Sequence, residues 1–250
     1  MLKQIARGVL VFAFLILVGS WIVVILVDSF NIMSLGDRLI EQTPSNSSAF
    51  VILFGEGRPV EWAQWFSLMT ACIVTAYISA IEHTRGNTTR HAFFTLFACL
   101  FAIMVIEDAG NIRLTLIHIY AGFGIHSELG RSIPMMWYAI IALIPIVAIA
   151  KYGRKFIVAD KIWGFFAVGF IFYAIAAGGS AVWLGYYQSI GDLLNNILFG
   201  GRIIYEEPRA GYWIMDYLVE ETIELFGSLS FLLFSYSYYT NNCLNDENSV

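Results

Sequence analysis

Charged side chains are scarce in this sequence. Asp, Glu, Lys and Arg make up 13% of the 250 residues, and 58% of the residues are hydrophobic. Soluble domains carry about 25% charged residues, so this composition excludes an ordinary soluble domain and favours a membrane protein. The net charge of −5 argues against a nucleic-acid partner, because nucleic-acid binding needs a basic surface.

Cysteine pairs and familiar catalytic signatures are also missing. Cys72, Cys99 and Cys243 are scattered, which indicates neither a disulfide framework nor a Cys-x-x-Cys metal site. The sequence has no Gly-x-Ser-x-Gly turn, phosphate-binding loop, His-Glu-x-x-His pair or dinucleotide fingerprint. The polar residues that lie within apolar runs are therefore the candidate functional residues.

Six apolar runs are close to the roughly 20 residues that a membrane-spanning helix needs. They predict spans at 8–28, 61–81, 92–116, 134–151, 162–187 and 213–238. The first run is too long for the apolar core of a signal peptide and no small-residue cleavage site follows it, so we interpret it as a retained span. The sequence predicts one all-α domain over residues 1–250, a polytopic helical bundle with six transmembrane helices.

The orientation follows from the basic residues, which are enriched in cytoplasmic connections. With the N-terminus inside, the inner segments hold Lys3, Arg7, Arg85, Arg90, Lys151, Arg154, Lys155 and Lys161. The outer segments hold Arg38, Arg58, Arg131, Arg202 and Arg209. This bias predicts an N-in/C-in protein, and we expect a multi-pass protein of a cell membrane, in particular a bacterial inner membrane. The longest outer connections are 29–60 and 188–212.

Acidic residues recur in three of the predicted spans. The groups are Glu61 with Gln64 at the start of the second span, Glu107 with Asp108 in the third, and Glu220, Glu221 and Glu224 in the sixth. At 1.5 Å per helical residue, the last three lie about 12–18 Å into their span. The predicted topology puts all three groups in the outer half of the membrane, so we expect them to share one pocket.

Helical spacing refines this expectation for the sixth span. Asp216, Glu220 and Glu224 recur every four residues and so form one row on an α-helix. Tyr217 stands one turn before Glu221, on the edge of that row.

The third span predicts a second polar row. Glu107, Asn111, Leu114 and His118 share one face of a continuous helix. Arg113 is the strong base that we place within a span, and we expect it to act as a counter-ion for one acid.

Other polar and aromatic side chains have simpler interpretations. His83 and His91 flank a basic inner connection and are interpreted as surface residues. Aromatic residues near the outer boundaries, among them Tyr186 and Tyr187, are interpreted as an interfacial belt. The small residues at 176–183 predict close helix packing.

The cost of burying charge limits what the acids can do. An isolated carboxylate at mid-membrane costs about 2.5–3.5 kcal/mol on insertion scales. The acids must therefore be protonated, hydrated, paired or bound to a cation. We expect a pocket that binds or relays a proton or a divalent metal, in connection with transport. The expected metal ligands are Glu107, Asp108, Glu220, Glu221 and Glu224, and the other pocket residues are Glu61, Gln64, Asn111, Arg113, Asp216 and Tyr217.

Several alternatives remain open at this stage. The acids can form a seam of interhelical hydrogen bonds. A carboxylate pair can serve as general acid and base in an intramembrane enzyme acting on a lipid or lipid-linked substrate. The protein can also be a non-catalytic subunit whose acids dock a membrane-protein partner. Membrane lipids are expected partners in every case, and a homo-oligomer is a further option. The one candidate cofactor is a divalent cation, which prefers oxygen ligands.

Three short motifs carry a resemblance. The second span opens with EGRPVEWAQ, the third holds the acidic pair in EDAGNIRL, and the sixth contains EETIELFG. In this pattern the chain resembles a loosely defined group of uncharacterised bacterial multi-spanning membrane proteins. Arg113 and Leu114 stand where that group carries His-Glu, so two potential ligands are replaced by a positive charge and an apolar side chain.

Overall fold

The computed structural model describes residues 1–43, 47–123, 128–153, 162–182, 184–203, 205 and 209–243. The elements within these residues are all helical, which confirms the predicted all-α class. The α-helices are α1 (Leu2–Val24), α2 (Leu35–Gln42), α3 (Ala49–Phe54), α4 (Pro59–Thr84), α5 (Thr88–Gly110), α6 (Ile112–Gly122), α7 (Glu128–Tyr152), α8 (Trp163–Val182), α9 (Leu184–Phe199), α10 (Ala210–Trp213) and α11 (Glu221–Tyr238). Segments Ile25–Ser29, Ile214–Glu220 and Tyr239–Cys243 are π-helical, and Ile32–Ser34 is a 3-10 turn.

Among the described residues, three helical stretches are long and apolar enough to cross a membrane. They are Leu2–Ser29, Ala49–Thr84 and Thr88–Gly110. They contain the first two predicted spans and most of the third. The predicted fourth and fifth spans coincide with the shorter apolar helices Met136–Tyr152 and Trp163–Gly179. Six crossings and the inner position of both termini stay predictions.

The predicted third span is not one continuous helix. α5 ends at Gly110, and Asn111 adopts a left-handed backbone with φ of 41° before α6 begins at Ile112. Asn tolerates this conformation better than most residues and commonly follows the end of a helix. The predicted row of Glu107, Asn111, Leu114 and His118 needed an unbroken helix, so that prediction is wrong.

The two long connections that were predicted to lie outside are partly helical. The segment 29–60 contains α2 and α3, and residues 188–199 belong to α9. The exposed residues of α9 include large apolar side chains as well as the polar Ser189, Asp192 and Asn196. α9 also packs closely against α10, which follows it along the chain.

The chain divides into two compact units. The first comprises Met1–Leu10, Trp65–Val168 and Leu229–Val250. Its core is aromatic: Phe97 and Phe101 lie one turn apart on α5 and are both fully buried. The Phe97 ring centroid is 4.8 Å from that of Phe166 on α8, and Phe101 is 5.0 Å from Phe231 on α11. Large aromatic surfaces meeting at such distances supply much of the packing energy of this unit.

The second unit comprises Val11–Gln64 and Gly169–Ser228. A buried carboxylate organises its N-terminal part. Asp28 accepts hydrogen bonds from the backbone N–H groups of Ala49 and Phe50, each at 2.9 Å. The first N–H groups of a helix have no partner within the helix, so Asp28 satisfies two of them and holds the start of α3 against the end of α1.

Candidate functional site

The predicted site residues fall into both units. Glu61, Gln64, Asp216, Tyr217, Glu220, Glu221 and Glu224 belong to the second unit, whereas Glu107, Asp108, Asn111 and Arg113 belong to the first. The expectation that both groups share one pocket stays a prediction. The second unit holds most of the predicted residues, and within it Gln64 contacts Glu224. We call Glu220, Glu221 and Glu224 with Gln64 and Tyr187 the α11 acid cluster.

The acids of this cluster lie at the junction of two helical segments. Residues Ile214–Glu220 are π-helical, and the regular α-helix resumes at Glu221. Hydrogen bonds in a π-helix run from residue i to i+5, which widens the turn. The predicted row at every fourth residue required a regular α-helix. Asp216 lies in the π-helical segment, so it does not share a row with Glu224. All the acids of this segment, Asp216 included, are half-buried.

Glu224 is held by a neutral donor from another helix. The Gln64 side-chain amide on α4 donates to Glu224 Oε2 at 2.9 Å. Gln64 is fully buried, and Glu61 one turn before it is also buried. The backbone N–H of Gly57 donates to the Glu61 carboxylate, so this acid closes the turn that precedes α4. Gln64 and Glu61 therefore lie in the interior of the unit.

Glu220 also accepts a hydrogen bond from a neutral donor, Tyr187, which the sequence placed in the interfacial belt and not in the site. The Tyr187 hydroxyl on α9 donates to Glu220 Oε2 at 2.9 Å, and Tyr187 is buried. Its burial contradicts the predicted place of Tyr187 in an interfacial belt, whereas its neighbour Tyr186 is exposed. A Cβ atom at Gly179 would lie 2.5 Å from the Tyr187 hydroxyl, so the glycine of the small-residue segment makes room for it.

Two further contacts fix the position of α11. The Trp21 indole N–H on α1 donates to the Thr222 hydroxyl at 3.1 Å, between the acids Glu221 and Glu224 in sequence. A Cβ atom at Gly227 would lie 2.7 Å from the Tyr173 ring, so this glycine permits close approach of α8. Both contacts restrict how far the acid-bearing segment can rotate or slide.

The acids of the first unit have a separate arrangement. The Trp137 indole N–H on α7 donates to Glu107. The backbone N–H of Asn111 contacts the carbonyls of Glu107 and Asp108, which caps the end of α5. Both acids are half-buried. The side chain of Arg113 lies outside what the structure describes, and its predicted role as counter-ion stays a prediction.

The described residues contain no group of three or more His, Cys, Asp or Glu side chains that could hold a metal ion. The metal-ligand role of Glu107, Asp108, Glu220, Glu221 and Glu224 stays a prediction. Within the α11 acid cluster, the two donors just described are an amide and a phenol, both neutral. A neutral donor positions a carboxyl group without fixing its charge, since the second oxygen can carry a proton or not.

Two buried acids were missed in the sequence. Asp28 lies at the end of the first apolar run and was treated as the boundary of a span. Glu82 lies near the end of α4, and its side chain is fully buried. Its position one turn before Arg85 was a signal that an ion pair can form there, but burial depends on other helices.

No protein-family model matches this chain, and neither do any curated proteins or solved structures.

Proposed function

We propose that this protein resides in a membrane and that its α11 acid cluster takes up and passes on protons. The observation that carries this proposal is that Glu220 and Glu224 each accept a hydrogen bond from a neutral donor on a different helix. Such donors hold a carboxyl group in place in both its charged and its neutral form. A group that gains and loses protons needs this property.

The energetics of burial support the same proposal. A carboxylate within a membrane-spanning helix costs about 2.5–3.5 kcal/mol on insertion scales, and a neutral carboxyl costs far less. Glu220, Glu221 and Glu224 lie within five consecutive positions and are all half-buried. Like charges at this spacing repel one another, so proton binding to one acid relieves the others.

The π-helical segment before Glu221 gives independent support. Short π-helical turns in α-helices are rare and occur frequently at functional sites. The segment Ile214–Glu220 ends on the first acid of the cluster.

Replacing either cluster acid by glutamine tests the proposal. Glutamine keeps the shape and still accepts a hydrogen bond, but it cannot carry an exchangeable acidic proton. In lipid vesicles with a trapped pH-sensitive dye and a potassium diffusion potential, we expect protein-dependent proton flux to fall at least about tenfold in Glu220→Gln and Glu224→Gln, since a positioned proton-transfer group contributes 10²–10⁴-fold.

Glu41→Gln serves as the matched control, because Glu41 is an exposed acid at the end of α2. We expect its proton flux to equal that of the wild type. Wild-type flux no greater than that of protein-free vesicles, or full flux in both cluster variants, would contradict the proposal.

Membrane lipids are the partner that fits the exposed row of α9. Tyr186, Ile190, Leu193 and Ile197 lie on one face of this helix and are 66%, 43%, 57% and 68% exposed. An exposed apolar row on a helix that otherwise packs against the protein is typical of a surface that meets the acyl chains of a bilayer.

A spin label at Ile197 is expected to report this contact. In a variant whose three native cysteines are replaced, the label at Ile197→Cys should collide more with oxygen, which concentrates in lipid, than with a water-soluble nickel complex. A label at the neighbouring exposed Asn196 is the control and should show the reverse preference. Equal preference for the nickel complex at both positions would rule out lipid contact by this row.

A further inference from the structure

The part of α4 within the first unit carries buried hydroxyl groups that lead to a buried acid. Ser67, Thr75, Ser79 and Glu82 are all buried. Their spacing places them on one face of the helix, with the buried Ala71 completing the row. A row of this length that is polar and excluded from solvent is uncommon within an apolar helix, because each polar group must find a partner.

Two hydroxyl groups of this row, those of Thr75 and Ser79, have partners on other helices. The Thr75 and Ser235 hydroxyls on α4 and α11 are 2.9 Å apart. The Ser79 hydroxyl lies 2.7 Å from the Thr95 hydroxyl and 2.9 Å from His91 Nδ1, both on α5. Hydroxyl and imidazole groups each both donate and accept, so Thr75, Ser79 and their partners can exchange protons, whereas Ala71 cannot. Thr75 and Ser79 are about one turn of 5.4 Å apart, a gap that one water molecule spans.

Glu82 ends the row and is fully buried. Its Oε2 accepts a hydrogen bond from the Asn87 amide at 2.7 Å. Arg85 and Arg90 lie 3.8 and 3.7 Å from its other oxygen, Oε1. These separations exceed hydrogen-bond distance, and Oε1 has no hydrogen-bond partner among the described residues. The guanidinium groups therefore balance the charge of Glu82 while Oε1 keeps the capacity to bind a proton.

A second buried group without a hydrogen-bond partner lies close by. Tyr238 on α11 is buried, its hydroxyl has no partner among the described residues, and it lies within electrostatic range of Glu82. A buried oxygen without a hydrogen-bond partner is uncommon and needs a physical explanation, and a bound proton or water molecule provides one. Arg85 on α4, Arg90 on α5 and Tyr238 on α11 lie within electrostatic range of Glu82. His83 and His91 adjoin Glu82 and Arg90 in sequence, and their rings contact each other. Cys243 lies within electrostatic range of Tyr238.

The exposed ends of the two arginines connect this site with water. Their side chains are 27% and 40% exposed, whereas that of Glu82 is 0% exposed. Arg85 also donates to the carbonyls of Asn242 and Cys243, at 3.1 and 3.3 Å, which fastens the chain after α11 beside the site. Glu82 thus lies between a buried row of hydroxyl groups and the surface.

We infer that Glu82 is the group that exchanges protons with water at the C-terminal end of α4. Glu82 Oε1 accepts a proton from the hydroxyl row, becomes a neutral carboxyl and then releases the proton to water, which restores the carboxylate. No other bond is formed or broken. The inference rests on the proposed proton relay, because an exchange group has a role only where protons pass.

Two pairs of variants test the inference in the vesicle assay described above. Glu82→Gln is expected to lower proton flux at least about tenfold, since it removes a positioned proton-transfer group. Thr75→Val, which preserves shape, is expected to lower flux several-fold because it removes the hydroxyl that faces Ser235. Thr70→Val is its control, because the Thr70 hydroxyl donates a hydrogen bond to the Phe66 carbonyl of its own helix and not to another helix. Thr70→Val and Glu41→Gln should keep wild-type flux.

The outcomes separate this inference from the proposed function. Flux that is lost in Glu220→Gln and Glu224→Gln but kept in both Glu82→Gln and Thr75→Val would overturn the role of Glu82 and leave the α11 acid cluster as the relay. Wild-type flux at the level of protein-free vesicles would overturn both. If Glu82→Gln does not fold, full flux in Thr75→Val overturns the inference on its own.

Discussion

Replacing Gly191 by alanine is expected to be among the most damaging single changes in the second unit. A Cβ atom there would lie 1.7 Å from the carbonyl oxygen of Gly211 and 2.4 Å from its carbonyl carbon. Both atoms belong to the backbone, so a rotamer change cannot relieve the clash and α9 must move away from α10. Overpacking costs about 1–3 kcal/mol, occasionally more, and we expect a free-energy loss at the upper end of that range.

The melting temperature in detergent measures this effect. A loss of about 3 kcal/mol corresponds to a fall of roughly 6–12 °C for a protein of this size. Gly178→Ala on α8 is the matched control, because a Cβ atom there meets nothing within 4 Å. We expect Gly178→Ala to leave the melting temperature unchanged or slightly higher, since alanine favours a helix. A melting temperature for Gly191→Ala equal to that of the control would contradict the close approach of α9 and α10.

Replacing Phe234 by alanine is expected to have the largest effect in the first unit. Phe234 on α11 is fully buried, and its ring centroid lies 5.0 Å from that of Trp163 and 5.5 Å from that of Phe166, both on α8. Removing a buried phenyl ring leaves a cavity and costs about 3–5 kcal/mol. Aromatic contacts also favour particular ring geometries, so aliphatic side chains do not replace them fully.

Phe226→Ala provides a control on the same helix, because Phe226 is 43% exposed. We expect it to lower the melting temperature far less than Phe234→Ala. Phe234→Leu should fall between the two, since leucine refills part of the cavity. Equal melting temperatures for the two alanine variants would show that the aromatic cluster does not carry the stability of the first unit.

Hydropathy and spacing predicted the helices well where the chain is uniformly apolar. The helical stretch Leu2–Ser29 contains the first predicted span and α4 contains the second, because exposing about 20 apolar residues to water is unfavourable whatever they pack against. The break after Gly110 was missed because a hydropathy average does not register backbone conformation. The Gly110–Asn111 pair was the available signal, since both residues favour the end of a helix.

The candidate site was predicted in part. The acids of α11 were identified because charged residues in an apolar run are costly and stand out in the sequence. Tyr187 was missed because it follows Tyr186, and only the rotation of α9 decides which of the two is buried and donates to Glu220. Glu82 was missed because its burial comes from packing against α5 and α11 and not from its own neighbours in the chain.

The sequence by itself determined that the protein is helical and apolar and where along each helix the acids lie. These properties depend on residues that are adjacent or one turn apart, so local spacing and transfer free energy are sufficient. Only the tertiary structure decided which donors the acids meet. Gln64 and Glu224 are 160 positions apart, and Tyr187 and Glu220 are 33 apart. Contacts between such distant residues depend on how helices rotate and pack, which no local pattern records.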